Sequence, residues 1–528
     1  MDFCTLKFVL FLVCLAIIYF IVRPSKRWIV LLAGSLIFFG ICGWEYLIYA
    51  VALSLVFFFG AILLDRLNVQ QSELDKIKDR EQRQKLALKS RKILIITIVL
   101  VVGNLVFHKY WGMAGELFHA IRSYLGGTGE IGWWQIALPL GLSYYTFSGL
   151  GYLLDVYWKR YPSQKNYAKF LLYIVYFPHI IQGPIERYGL LGNQFFDEQR
   201  VRFQAGRTKQ AIMLMCFGYF KKLFVADRIA ILVDGVAANL EAAPGSMQVL
   251  AVLFSGAWIY ADFSGYMDIA RGASMIFGIE INRNFNHPMM ARSVSEWWRR
   301  WHMSLSSWWR DYIYMPMATS LKFISKCANV KKKYGKTAGK LFKEIVPIFL
   351  IWITTGLWHG TGMTYFAWGV YFSILFTCSA IFSAWNKKMA EKLHVNTEGK
   401  GFHLFQMVRT YLLFCGGRLL TVFGSLANSA GVIRKVFGDF NLGFLFQESG
   451  YTLFGTCVAE VWFMLAGIAV MLIADTIEEK KGVTICQWVL ERRWFVRGVI
   501  YAAVFLAVAL FGIYGVDYSL EGFAYQNF

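Results

Sequence analysis

One histidine stands alone in a long uncharged stretch. Residues 345–386 contain no Asp, Glu, Lys or Arg, and His359 is their only histidine. Neutral imidazole can accept and return a proton near pH 7. Hydrocarbon penalises such a ring unless a partner or cavity compensates, which makes it a functional candidate. The competing reading is a histidine hydrogen-bonded inside a helix bundle. The flanking run Thr354-Thr355-Gly356-Leu357-Trp358-His359-Gly360-Thr361-Gly362 is rich in small residues, predicting a helix that ends or breaks there with close backbone approach. His359 follows Glu344 by 15 residues, about 22 Å of helix, which puts it deep in an apolar layer.

A second group of residues combines indole, guanidinium and imidazole. In Ser293-Val294-Ser295-Glu296-Trp297-Trp298-Arg299-Arg300-Trp301-His302, Ser293 and Glu296 have the spacing of a capping box. A helix begun there would carry Trp298, His302, Leu305 and Trp309 on one face, and Trp297, Trp301 and Trp308 on the next. Mixed aromatic and basic surface suits the headgroup layer, so an interfacial anchor is the plainer expectation. Two carboxylates, Asp262 and Asp268, end an otherwise apolar run. Six positions apart, they would not share a helical face, so they are expected to bind Arg side chains or backbone amides instead of forming an acid/base pair. In Phe177-Pro178-His179-Ile180-Ile181-Gln182-Gly183-Pro184, each proline removes a backbone donor. That segment reads as a broken or re-entrant helix in which His179 is structural or cavity-lining.

These residues need elements to hold them, and the composition says which. The chain has 528 residues, 57% hydrophobic and 16% charged, against the roughly 25% charged typical of soluble domains. The expectation is an all-α, polytopic integral membrane protein with roughly eleven to thirteen spans, each long enough for a hydrocarbon core about 30 Å thick, plus re-entrant or interfacial helices. Spans are expected near 8–22, 28–42, 46–64, 93–107, 133–157, 169–185, 210–226, 247–265, 345–358, 362–385, 408–423, 455–474 and 497–514. No inverted repeat or linker divides them, so residues 1–528 are treated as one domain.

The charge of +21 follows the positive-inside rule and does not call for nucleic acid. Basic loops at 23–27, 65–92 and 158–169 alternate with poorer ones. This predicts those loops to be cytoplasmic and the N-terminus outside. Residues 283–343 carry thirteen Lys or Arg and two acids, which assigns them to the cytoplasm or its membrane surface. Lys331, Lys332 and Lys333 are expected to form a solvated loop. The nine cysteines form no CxxC or Cys/His cluster, so neither a disulfide frame nor a metal site is expected.

Six strings, in order, resemble the membrane-bound O-acyltransferase family, in its bacterial branch of alginate O-acetyltransferase membrane subunits and D-alanyl transfer proteins. They are LPLGLSYYTFSGLGYLLDVYWKR at 138–160, YFPHIIQGPIERY at 176–188, GYFKKLFVADRIA at 218–230, YADFSGYMDIARGASMIFGIEINRNFNHP at 260–288, SVSEWWRRWHMSLSSWWRDYIYMP at 293–316 and GLWHGTGMTYFAWGVYFS at 356–373. The resemblance covers most of 138–373. It implies a helical fold around a funnel, a catalytic histidine at His359 and the family's second histidine at His302. Departures occur after Pro316, where Met317-Ala318-Thr319-Ser320 and a longer basic stretch replace a glycine-rich continuation, and near 423–427. Both bear on the acceptor.

With that resemblance, the expected reaction moves an acyl group, acetyl first, from a cytosolic thioester to hydroxyls of an extracytoplasmic polysaccharide. His359 would serve as base, and His302 would orient it or steady the carbonyl oxygen. Arg299, Arg300 and Arg310 would bind the phosphates of acetyl-CoA or of a carrier protein. Trp358, Asp262, Asp268 and His179 are structural or channel candidates. No bound cofactor is expected. The expected partners are membrane lipid, the thioester donor, the polymer and an exported acyltransferase or esterase-like protein, and the expected location is the bacterial cytoplasmic membrane. D-alanyl transfer from a carrier protein to a teichoic acid-type polymer is the alternative. A lipid-linked sugar transporter is the alternative of another class.

Overall fold

Polar residues flanking the apolar runs set where the helices start. Thr5, Asp79, Asn166, Ser293, Ser320, Ser425 and Thr484 each accept a hydrogen bond from a first-turn N–H of the helix that follows, satisfying a donor that has no partner inside the helix. The computed structural model describes residues 1–76, 79–125 and 138–514, and among these there are helices, turns and no strand.

Eight helices among the described residues are long and apolar enough to cross a membrane: Pro24–Cys42, Trp44–Asp75, Arg80–Tyr124, Gly245–Ile276, Leu321–His359, Met363–Phe382, Val458–Lys481 and Trp494–Phe511. The remaining expected spans fold as shorter or interrupted helices or, in one case, as a long helix that carries charges. Leu6–Ile21 has 16 residues. The run at 133–157 begins outside the described residues and continues as Leu142–Tyr157. The run at 169–185 is helical only over Tyr167–Val175, after which a short turn, Phe177–His179, takes over; Pro178 cannot donate to an α-helical ladder. The run at 210–226 lies in Ala205–Tyr219 and a π-helical turn, Phe220–Ala226. The run at 408–423 lies within Lys400–Val422, a helix that also carries Arg409 and Arg418.

By internal packing the chain forms two compact units. The first holds Met1–Ile212 and Ala270–Asn282. Within it, Trp44–Lys76 packs on Arg80–Tyr124 and Leu142–Tyr157. The approach is close because Gly149 has no side chain: a Cβ there would meet the Phe57 ring at 2.3 Å. Tyrosines fill the interior, and two of them tie segments together through their hydroxyls. Tyr176 meets Ser274 at 2.9 Å, and Tyr173 donates to the Glu186 carbonyl at 2.8 Å. The Glu186 carboxylate accepts from the backbone and side-chain amides of Asn282 at 2.6 and 2.7 Å.

The second unit holds Met213–Ile269 and the described residues from Arg283 onward, so it contains both candidate catalytic histidines. Helices Leu321–His359, Met363–Lys392 and Lys400–Val422 pack in succession. Lys331, Lys332 and Lys333 lie on a helix and not in the expected loop. The chain reverses once inside that helical stretch, at Gly335, where φ is 92°, a conformation glycine adopts without steric cost.

Candidate active site

His359 is the last residue of its helix. The Gly360 N–H closes the final turn on the Gly356 carbonyl at 3.3 Å, and the chain turns through Gly360-Thr361-Gly362 into the next helix, Met363–Lys392. Glycines let the two helices touch backbone to backbone. A Cβ on Gly356 would sit 2.4 Å from the Tyr365 carbonyl oxygen, and one on Gly369 would sit 2.5 Å from that of Trp352. The helix end and close approach expected around His359 are therefore both present. The contact brings the Trp368 ring edge-on to His359, with centroids 5.2 Å apart. His359 and Trp358 are each 6% exposed.

His302 does not continue the helix begun at Ser293. Val294–Arg300 is one seven-residue helix and Met303–Trp309 another, with His302 between them in the left-handed region at φ 43°. The single-helix faces expected for Trp298, His302, Leu305 and Trp309 are thus overturned. Asn284 explains the break. Its backbone carbonyl accepts from Met303 N–H at 2.9 Å and its side-chain oxygen from Ser304 N–H at 3.0 Å, which fixes the start of the second helix. The same Oδ1 lies 3.3 Å from His302 Nδ1.

The expected interfacial anchor is also corrected. Trp297, Trp301 and Trp308 are buried. Trp297 stacks on Trp301 at 5.8 Å and packs on Phe414 at 4.4 Å, while Trp298 meets Trp352 edge-on at 4.6 Å. The indoles of Trp297 and Trp301 bury too much apolar area to favour an exposed position once a neighbouring helix offers a wall of aromatic rings.

That wall brings the two histidines to one side chain. Trp358 has its ring centroid 4.6 Å from His359 and 6.1 Å from His302, and Phe263 meets His302 edge-on at 4.9 Å. His302 is 2% exposed. Burial pushes its pKa down to about 3, because a charged imidazolium is poorly solvated there. His302 is a neutral ring at neutral pH.

The carboxylates on Gly245–Ile276 are met by lysines, partners the spacing did not suggest. Lys222 Nζ lies 2.7 Å from Asp262 and 2.8 Å from Asp227; Lys221 Nζ lies 2.7 Å from Asp268. Gly218 and Gly265 allow this crossing: a Cβ on Gly218 would meet the Gly265 carbonyl at 2.7 Å. The adjacent lysines sit in the π-helical turn, whose extra residue shifts the register of the helix at that point. Lys221, Lys222 and Asn284 were missed as site-supporting residues. Two lysines inside the apolar string GYFKKLF were the available signal, since buried charges need partners.

The arginines divide by environment. Arg300 is engaged inside the protein, 2.8 Å from both Glu296 and Glu479. Arg299 and Arg310 are exposed, the former near Ser295 at 3.1 Å and the latter beside Asp311 at 2.8 Å. A further anchor joins Arg283 and His287 to Glu478, at 2.6 and 2.8 Å. Together these pairs tie residues 283–300 to the helix Val458–Lys481. His179 belongs to the first unit, buried with Nε2 3.0 Å from the Tyr173 carbonyl, a bond that closes the end of the short helix before it.

Residues 159–330 match the model of the MBOAT, membrane-bound O-acyltransferase, family. This segment is similar to that family. Among curated proteins, the chain is 28% identical over 396 residues to a probable alginate O-acetylase of Pseudomonas syringae pv. tomato, covering 74% of this chain and 69% of the relative. A probable alginate O-acetylase of Pseudomonas aeruginosa is 32% identical over 284 residues, 53% of this chain and 50% of the relative. A teichoic acid D-alanyltransferase of Bacillus subtilis is 30% identical over 258 residues, 47% and 60% respectively. The chain thus spans about two thirds of the first relative and half to three fifths of the others. The matched family and these relatives are acyltransferases by name, and this chain has the membrane-length helices of a multi-pass membrane protein. Asn284, His302 and the tryptophans of 297–309 lie inside the matched segment, and His359 lies beyond its end.

Proposed function

We propose that this protein transfers an acetyl group from cytosolic acetyl-CoA toward hydroxyls of an extracytoplasmic polysaccharide, with His359 as the general base. The observation that carries the reading is the convergence of His359 and His302 on Trp358 at a glycine-lined helix end. In the reaction, a hydroxyl oxygen attacks the thioester carbonyl as His359 accepts its proton. The C–O bond forms, the C–S bond breaks, and the proton passes to the departing thiolate. His302 is the poorer base, because a base works best with a pKa near the working pH and burial holds that of His302 far below it; the base role is assigned to His359 by its place at the glycine-lined helix end. His302, steadied by Asn284, is assigned to orienting the reacting groups or stabilising the developing oxyanion.

The exposed Arg299 is the first candidate for donor phosphates and Arg310, exposed but paired with Asp311, the second; the guanidinium of Arg300 meets two carboxylates inside the protein. Trp358 would line the path of the thioester arm through the funnel that the family resemblance implies. The reading sets the protein in a bacterial cytoplasmic membrane, with the N-terminus outside and 283–343 inside, and includes an exported partner that completes transfer to the polymer. A second reading, D-alanyl transfer from a carrier protein to a teichoic acid-type polymer, is favoured by the similarity to the Bacillus subtilis enzyme.

A donor assay separates the two. Full-length protein in proteoliposomes is supplied with acetyl-CoA or with D-alanyl carrier protein, and thiol release is followed with a hydroxyl acceptor present. Release from acetyl-CoA alone is the expected result. Release from the carrier protein alone would overturn the acetyl assignment in favour of the second reading.

A further inference from the structure

The lysine-rich stretch after Pro316 is built as a groove. Residues 321–343 contain eight lysines and no acid, and the reversal at Gly335 folds them into two arms. The arms touch. A Cβ on Gly339 would lie 2.6 Å from the Lys331 Cβ, and Phe323 stacks on Phe342 with centroids 6.0 Å apart. Between the arms is a cavity of about 650 Å³ with Phe323 and Cys327 among its apolar lining and Lys331, Lys336, Lys340 and Lys343 among its polar lining.

Charge and position both bear on the occupant. The second arm runs directly into the uncharged stretch that starts at Ile345, so at 1.5 Å per residue Lys343 lies about 3 Å along the helix from the first of its residues. The groove therefore sits at the boundary between water and hydrocarbon. Its lysines complement an anionic head and its phenylalanine side an apolar chain. A soluble phosphate compound would use the first feature and leave the second unmatched.

We propose that the groove between the arms of residues 321–343 binds an anionic phospholipid, its phosphate held by Lys331, Lys336, Lys340 and Lys343 and the start of its chain against Phe323 and Cys327. Nothing in this requires the acyl-transfer reading, and its test does not use enzyme activity. A basic side chain near an anionic membrane surface contributes about fivefold in affinity, so removal of four should erase a preference for anionic lipid.

Full-length protein in mild detergent is incubated with equal amounts of phosphatidylglycerol and phosphatidylcholine, and retained lipid is measured by native mass spectrometry. Wild type should retain phosphatidylglycerol in roughly tenfold or greater excess. The combined Lys331→Gln, Lys336→Gln, Lys340→Gln and Lys343→Gln variant should retain both lipids about equally, while the matching set of Lys→Arg changes should keep the excess. Cys327→Trp, which fills the groove and keeps its charge, should lose it. An excess unchanged in the Gln variant, or no excess in the wild type, overturns the proposal. So does retention of added coenzyme A in place of the lipid.

Discussion

The rings of His302 and Trp358 stand 6.1 Å apart, although one residue occupies a left-handed turn between two short helices and the other the last turn of a membrane-length helix. The contact depends on Asn284, whose side chain fixes the turn that carries His302. Asn284→Ala leaves the Ser304 N–H and the His302 ring without that acceptor. Acyl transfer should fall by about 10-fold to 100-fold through kcat, with donor KM little changed, because positioning is lost and not donor affinity. Steady-state kinetics on the purified variant, with size-exclusion behaviour as the folding control, checks this. A change confined to KM would count against the positioning role.

The ion pair between Lys221 and Asp268 predicts an asymmetry in stability. Lys221→Met alone takes the Lys221 ammonium from the partly buried Asp268 carboxylate, a loss that approaches the roughly 3–5 kcal/mol typical of a broken buried pair. Lys221→Met with Asp268→Asn should recover much of the loss, because no charge of the pair is then left uncompensated. Thermal unfolding in detergent should give the lowest midpoint for the single variant. A double variant no better than the single would mean that the pair is not the source.

His302 makes folding pH-sensitive in a defined direction. Its folded pKa is lowered from 6.5 to about 3, so the unfolded chain binds a proton below about pH 6.5 that the folded chain refuses until about pH 3. The stability associated with the neutral ring is present above pH 6.5 and is lost progressively as pH falls toward 3. The drop in unfolding midpoint between pH 7 and pH 4.5 should therefore be smaller in His302→Asn than in wild type. An equal drop would contradict the assignment.

Much of the fold was legible because hydrocarbon permits few solutions: long apolar runs must be helices, and the small residues around His359 signalled its helix end and close contact. The region around His302 was harder to read. A capping signal at Ser293 correctly marked a helix start, but nothing local announced that the helix would stop after seven residues. That stop comes from Asn284, ten positions before the helix, through tertiary hydrogen bonds. The lysine partners of Asp262 and Asp268 went unread for a similar reason. Their spacing argued against a shared face but could not reveal that a π-helical turn on another segment offers two adjacent lysines.

The central claim, that His359 is the base for acyl transfer, is tested most directly with His359→Ala in proteoliposomes supplied with acetyl-CoA and a hydroxyl acceptor. Removal of a positioned general base typically costs 10²-fold or more. The rate of acyl transfer should fall by at least that factor, while membrane insertion and the unfolding midpoint stay near wild type. Transfer at the wild-type rate by the folded His359→Ala protein would contradict the account.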